Sequence, residues 1–181
     1  KMSSNKYFQE IEIQFEDQST NHAKIIAEPF DRGYGVTIGN TLRRALLTSI
    51  PGAAITSIKI DGVNHEFTTI KGVLEDISDI ILNLKEVRFN MVDEGPELVT
   101  IELQGPCKFT GIDIANVTKQ FEVLNPDHHI ATITEEKKLV IELRICRGKG
   151  YSAAGKNKRP DDALGTIAID SIFNPIVNVA W

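Results

Sequence analysis

Short segments of alternating apolar and polar residues dominate the middle of the chain, from Val87 to Leu143 and just beyond. They read VRFNMV, ELVTIELQ, FEVL, HIATI and KLVIELRI, and turn sequences such as QGP and NPD separate them. Period-two alternation is typical of half-buried strands, and strands spaced so closely form hairpins rather than repeated βαβ units. The pattern therefore argues against an all-helical or doubly wound fold and predicts a mainly antiparallel β body.

The first fifty residues carry a different pattern. Alternation from Ile11 to Phe15 and again from Ala23 to Ala27, with turn residues between the two runs, predicts an antiparallel hairpin. The segment Asp31–Ile50 then reads as a glycine-rich loop followed by a helix, with Thr37 as the N-cap. A Pro-Gly pair ends the helix.

The apolar surface of this first helix is wider than one core contact requires. Ile38, Leu42 and Leu46 follow helical spacing and form a stripe, whereas Leu47 and Ile50 lie outside it. We therefore expect a second packing partner, such as another chain.

Two arginines interrupt the same helix. Arg43 and Arg44 are adjacent, so their side chains leave the helix about 100° apart and cannot both lie opposite the apolar stripe. At least one is expected to flank an interface, where arginine pairs with carboxylates. Two solvated charges remain the alternative.

A second helix is predicted before the β body. Val73, Ile77, Ile80, Ile81 and Leu84 recur at intervals of three and four residues. Acidic residues precede or open this segment and a lysine closes it, which suits the helix macrodipole.

Candidates for catalysis or metal binding are weak. Gly33, Gly35 and Gly39 are spaced G-x-G-x-x-x-G rather than G-x-G-x-x-G, so a nucleotide-binding enzyme using the Gly33–Gly39 loop is only an alternative hypothesis. The four histidines form no metal-binding motif, and two cysteines are too few for a Cys-rich zinc site. We expect no catalytic residue, no cofactor and no metal in this chain.

Charge and hydropathy narrow the classes of partner. The net charge of -5 is unlike that of a protein that coats DNA. The basic tract Arg144–Arg159 is interpreted as a solvated loop, with a phosphate or partner contact, or an RNA-binding module, as alternatives. No uncharged apolar stretch approaches the ~20 residues of a membrane span, and two cysteines suit a reducing compartment. We therefore expect a cytoplasmic protein without membrane contact.

Six stretches follow one another along nearly the whole chain: EPFDRGYGVTIGNTLRRALLTSIPGAAI, DGVNHEF, GVLEDISDIILNLK, NPDHHIATI, RGKGY and IDSIFNPIVNVAW. Together they resemble the amino-terminal region of the alpha subunit of bacterial DNA-directed RNA polymerase. The resemblance implies an α+β fold with a discontinuous dimerisation domain, residues 1–51 and 172–181, and an inserted, mainly antiparallel β domain, residues 52–171. Family members continue further, so the dimerisation domain is expected to be incomplete at its C-terminal end.

The resemblance also implies a function. It is that of a non-catalytic assembly scaffold in transcription, which homodimerises and recruits the beta and beta-prime subunits, while nucleotidyl transfer belongs to those large subunits. No direct DNA contact is expected from this region. The site residues implied are Ile38, Leu42 and Leu46 for the dimer interface, Arg43, Arg44 and Leu47 for the beta subunit, and Asp79 and Lys85 for beta-prime.

Overall fold

The structure, a computed structural model, describes residues 10–93 and 96–181, and these fall into two units. One comprises the described residues up to Arg44 together with Ala180–Trp181, and the other comprises Ala45–Val179. The domain bounds that the sequence implied, 1–51 with 172–181 and 52–171, begin in residues that lie outside the described part and stay a prediction.

The amino-terminal hairpin is confirmed. Strand β1 (Glu12–Gln18) pairs antiparallel with β2 (Ala23–Glu28), and the pairing shifts register once, after Phe15. The side chains of β1 are exposed on both faces, including the apolar Ile13 and Phe15. The hairpin therefore forms without a buried face of its own.

Helix α1 (Tyr34–Ser49) begins earlier than the sequence predicted. Gly33 adopts a positive φ of 91°, and the Tyr34 amide donates to the Asp31 carbonyl at 2.9 Å, which starts the helix at that point. The prediction of Thr37 as N-cap is therefore wrong. Thr37 lies within the helix, where its carbonyl accepts a hydrogen bond from the Thr41 hydroxyl at 2.8 Å.

The second unit is built on antiparallel strands, as predicted, which confirms the α+β fold class. Its strands are, in chain order, β3 (Pro51–Ile60), β4 (Phe89–Met91), β5 (Glu97–Gln104), β6 (Cys107–Thr110), β7 (Phe121–Val123), β8 (His129–Ile133), β9 (Lys138–Lys149), β10 (Tyr151–Ser152), β11 (Ile167–Ala168) and β12 (Ser171–Ile172). The main sheet has the order β5-β9-β3-β4-β7, and β11 adds to β3. Separate ladders join β6 to β8 and β10 to β12.

Helix α2 (Ile77–Lys85) helps to fill the core of this unit, as predicted. The prediction that Val73 belongs to the helix is wrong, because Val73 forms an isolated antiparallel β-bridge with Ile133 before the helix begins. Asp76 caps it by accepting the Asp79 amide at 2.8 Å, so the backbone donors of the first turn are partly satisfied. The buried face of the helix packs against strands β8 and β3. The apolar residues of the helix that are buried are Ile77, Ile80, Ile81 and Leu84.

Strand β3 is buried along most of its length, unlike the half-buried strand that period-two alternation typically indicates. One face joins the core through Ile58, which pairs in register with Leu143. Thr56 and Ser57 are buried as well, and the segment that follows β9 contacts β3 through α4, β11 and β12. The Ser171 hydroxyl donates to the Ile55 carbonyl at 2.7 Å and so ties that segment to β3.

The sequence patterns did not predict several short helices and strands. They include β6, α3 (Gly111–Ala115) and α4 (Ala154–Asn157), each only a few residues long. The alternating residues from Gly165 onward form only β11 and β12, with two residues each, and residues 173–181 contain no strand. The proline at 175 lacks the amide that would continue a ladder.

Candidate functional site

The apolar stripe of α1 remains accessible. No residue of this helix is buried, although Ile38, Leu42 and Leu46 are spaced one turn apart along one side. The Leu42 side chain is 55% exposed, while Ile38 and Leu46 are half-buried. An amphipathic helix without a buried residue gains little from its own chain, so the stripe is suited to packing against another molecule.

The two arginines lie on different sides of α1, Arg43 next to the stripe and Arg44 about 160° from its centre. Arg43 and Arg44 are both exposed and Leu47 is half-buried, all within two turns of α1. The two guanidinium groups leave the helix about 100° apart. The three residues therefore extend the accessible surface of α1 away from the stripe and add positive charge to it.

The structure separates Asp79 from Lys85. Both belong to α2, but six positions along a helix place their side chains about 120° apart. Asp79 is exposed in the first turn, whereas the Lys85 ammonium pairs with the Asp170 carboxylate at 2.5 Å. The two residues do not meet in one contact, and Lys85 already holds a partner within its own chain.

Two carboxylates act as anchors of the fold. Burial raises the pKa of Glu97, but hydrogen bonds from the Thr118 hydroxyl at 2.5 Å and from two backbone amides outweigh it, so the pKa lies below its usual range. Burial likewise raises the pKa of Glu75, and bonds from His129 and Thr132 again lower it overall. Carboxylates so well supplied with donors stay charged and are poor candidates for proton transfer.

The basic tract is divided by the structure rather than left as one solvated loop. Arg144 points into the protein, where its guanidinium lies 2.6 Å from the Asp162 carboxylate. Arg147, Lys156 and Arg159 instead line a cavity of about 250 Å³. Linear spacing gave no sign of this separation, because Arg147 lies on β9 and the other two residues on or after α4.

The Asp162 carboxylate is the partner of both Arg144 and the Arg159 backbone amide. Burial raises the pKa of its carboxyl, but the Arg159 amide donates to it at 2.7 Å and both arginines contribute positive charge, so the pKa lies below its usual value of 3.8. The carboxylate and Arg144 side chains are only 8% and 15% exposed. This ion pair therefore fixes the segment after α4 against β9.

The glycine-rich loop of the nucleotide hypothesis does not exist as a loop. Gly35 and Gly39 lie inside α1, and a Cβ at Gly39 would come within 2.6 Å of the Trp181 ring. This glycine therefore allows close approach of the indole. The Gly39 amide lies in the helix interior and bonds to the preceding turn, so the three glycines do not together form a phosphate-binding loop.

Across residues 10–93 and 96–181, no group of three or more histidine, cysteine or acidic side chains is arranged to hold a metal ion. Over the same part of the chain, no helix is both long and apolar enough to cross a membrane.

Comparison with known proteins gives a consistent result. The sequence model of a family described as RNA polymerase Rpb3/RpoA insert domain matches residues 58–174. The DNA-directed RNA polymerase subunit alpha of Chloroherpeton thalassium is 50% identical over 173 residues, which are 96% of this chain and 53% of that protein. The subunit of the same name from Salinibacter ruber is 50% identical over 169 residues, which are 93% of this chain and 52% of that protein. The one from Symbiobacterium thermophilum is 46% identical over 164 residues, which are 91% of this chain and 52% of that protein. The chain spans about half the length of these curated relatives.

Proposed function

This chain belongs to the RNA polymerase alpha-subunit family and corresponds to its amino-terminal region, and from that premise we propose that it is a non-catalytic assembly scaffold of DNA-directed RNA polymerase. A role in transcription follows from the family itself. In the proposal, two copies dimerise and then recruit the beta and beta-prime subunits in the cytoplasm. Nucleotidyl transfer takes place on those large subunits.

The accessible stripe of α1 is the observation that carries this proposal. A second copy of the helix would cover Ile38, Leu42 and Leu46 with the same three side chains, as two-fold symmetry requires. Fully burying one such side chain contributes about 1.5–3 kcal/mol, so three on each protomer give a useful driving force for association. We assign residues 1–51 and 172–181 to this dimerisation domain and residues 52–171 to the inserted domain.

The large subunits would use two other surfaces. Beta is proposed to contact Arg43, Arg44 and Leu47, where exposed guanidinium groups beside an apolar side chain suit bidentate pairing with carboxylates. Beta-prime is proposed to contact Asp79 and Lys85 on α2. Because an ammonium group has three donors, Lys85 can add a partner without releasing Asp170.

Replacing Leu46 with aspartate tests the dimer interface. We expect Leu46→Asp to weaken dimerisation by about 30-fold or more, some 2 kcal/mol, because burying an unpaired carboxylate is costly and the two-fold axis introduces it twice. Sedimentation of the full-length subunit over a range of concentrations measures this. Asn40→Asp adds the same charge on the opposite side of α1 and should leave the dimer intact. A Leu46→Asp protein that remains as dimeric as the parent would contradict the interface.

Recruitment of beta is tested separately at the arginine pair. We expect Arg44→Ala to lower capture of the beta subunit about fivefold to tenfold, the loss of one charge-assisted contact, with unchanged thermal unfolding. Capture of beta by the tagged full-length dimer gives the measurement. Arg88→Ala removes an exposed arginine outside the proposed surface and serves as the control. Equal capture by both variants would exclude Arg44 from the contact.

A further inference from the structure

We propose that the cavity lined by Arg147, Lys156 and Arg159, called here the basic cavity, binds a phosphate-bearing anion. It lies within the second unit, between β9 and the segment that contains α4. This inference does not depend on the scaffold role, because it concerns a different surface and a small ligand.

The charge of the basic cavity favours an anion. Three cationic side chains line it, and no aspartate or glutamate does so within the described part of the chain. The Arg159 guanidinium comes within 3.8 Å of the Cys146 sulfur, which places it at the cavity wall. Lys156 forms no ion pair among the residues that the structure describes. A multivalent anion in the cavity would be attracted by the positive charges that line it.

The cations are carried by a backbone that is fixed before any ligand binds. The Asn157 side chain accepts from the Ser152 hydroxyl at 2.8 Å and donates to the Ile169 carbonyl at 2.7 Å, which holds α4 in place. After α4 ends, the Asp162 carboxylate accepts a hydrogen bond from the Arg159 amide. Little backbone ordering is therefore left to oppose binding.

Phe173, which also lines the cavity, is equally fixed. Its amide donates to the Gly150 carbonyl at 2.8 Å. The ring lies so close to β9 that a Cβ at Gly148 would come within 2.6 Å of it. The backbone that carries the exposed cations and the Phe173 ring are thus held in place by contacts within the unit.

Size and composition define the ligand. A cavity of about 250 Å³ is smaller than the roughly 300–1,000 Å³ typical of sites that enclose a drug-sized molecule. Phe173 is its one aromatic residue, so the lining offers little surface for stacking a base. These features fit a diphosphate group, whether as free pyrophosphate or as the tail of a nucleotide whose remaining atoms stay in solvent.

Calorimetric titration of the full chain with pyrophosphate in low-salt buffer tests the proposal. We expect saturable binding that weakens with added salt. We expect Lys156→Gln to bind pyrophosphate about tenfold more weakly, because the substitution removes one charge-assisted hydrogen bond. Lys158→Gln removes the same charge two residues away, outside the lining, and should bind as the parent does. A parallel titration with ADP separates the two sources: equal affinities indicate that only the phosphates bind, and tighter binding of ADP indicates a nucleotide.

The cysteines supply a second, site-specific measurement. Cys146 lines the basic cavity and Cys107 does not, so pyrophosphate should slow alkylation of Cys146 by iodoacetamide and leave Cys107 unchanged, as followed by peptide mapping. The proposal is overturned by the absence of saturable pyrophosphate binding at millimolar concentrations. It is equally overturned if Lys156→Gln and Lys158→Gln weaken binding alike, or if Cys146 is not protected.

Discussion

Asp162→Ala is expected to lower the free energy of unfolding by about 3 kcal/mol. Asp162 is the carboxylate partner of Arg144, and both side chains are largely buried. One nitrogen of the Arg144 guanidinium, Nη1, is already buried without a hydrogen-bond partner in the described part of the chain. Truncating Asp162 would leave the whole cation uncompensated, and removing one partner of a buried pair costs roughly 3–5 kcal/mol, of which we take the lower end because slight exposure remains. Urea unfolding at neutral pH gives the measurement.

The neighbouring Asp161 offers a matched control. It is exposed, so Asp161→Ala should change stability by less than about 0.5 kcal/mol.

The stabilisation that Asp162 provides should depend on pH in a definite direction. Because the pKa of Asp162 is lowered in the folded state, its stabilisation is present above the usual carboxyl pKa of 3.8 and is lost as pH falls through the folded-state value. The difference between the parent and Asp162→Ala should therefore shrink in acid; a difference that grows there would contradict the ion pair.

Gly52→Ala is the second substitution with a large expected effect, a loss of about 3 kcal/mol in the free energy of unfolding. A Cβ at position 52 would lie 1.8 Å from the carbonyl oxygen of Phe173, which is backbone and cannot rotate away. Relief requires the segment that contains Phe173 to move off β3, at the upper end of the 1–3 kcal/mol that overpacking typically costs. Thermal and urea unfolding of the variant measure the loss.

The control for this substitution is Gly155→Ala, within α4. A Cβ there meets no atom within 4 Å, so stability should be unchanged or slightly higher because alanine restricts the unfolded chain. If Gly52→Ala unfolded at the same urea concentration as Gly155→Ala, the close packing of Phe173 on β3 would be wrong.

Local sequence patterns predicted the helices and strands that are defined by their own spacing of apolar residues. The hairpin β1–β2 follows from alternation and helix α2 from spacing of three and four, and both formed, although the helix begins at Ile77 and leaves out Val73. The start of α1 was missed because Gly33 supplies a left-handed turn that one sequence does not distinguish from a loop glycine. The extent of burial of β3 was missed because the elements that contact it after β9 lie far along the chain.

The candidate site divides in the same way. The accessible stripe on α1 could be predicted, because the spacing of apolar residues along a helix shows how wide its apolar surface is. The roles assigned to that stripe, to the arginine pair and to α2 stay predictions for the experiments above. The separation of Arg144 from Arg147, Lys156 and Arg159 was not foreseeable, since it depends on which long-range partner each cation meets.

The position of β3 has a consequence for biosynthesis. This strand is the centre of the main sheet, yet its long partner β9 follows only after α2 and several further strands, and β11 comes later still. Such non-local pairing makes folding slow, because loop-closure entropy is lost before the contacts form. A nascent chain emerging from the ribosome therefore carries β3 without its main partner until β9 has been made. Folding of this unit is then a late, cooperative event rather than a stepwise one, and β3 is the segment that most needs protection from other chains while it waits.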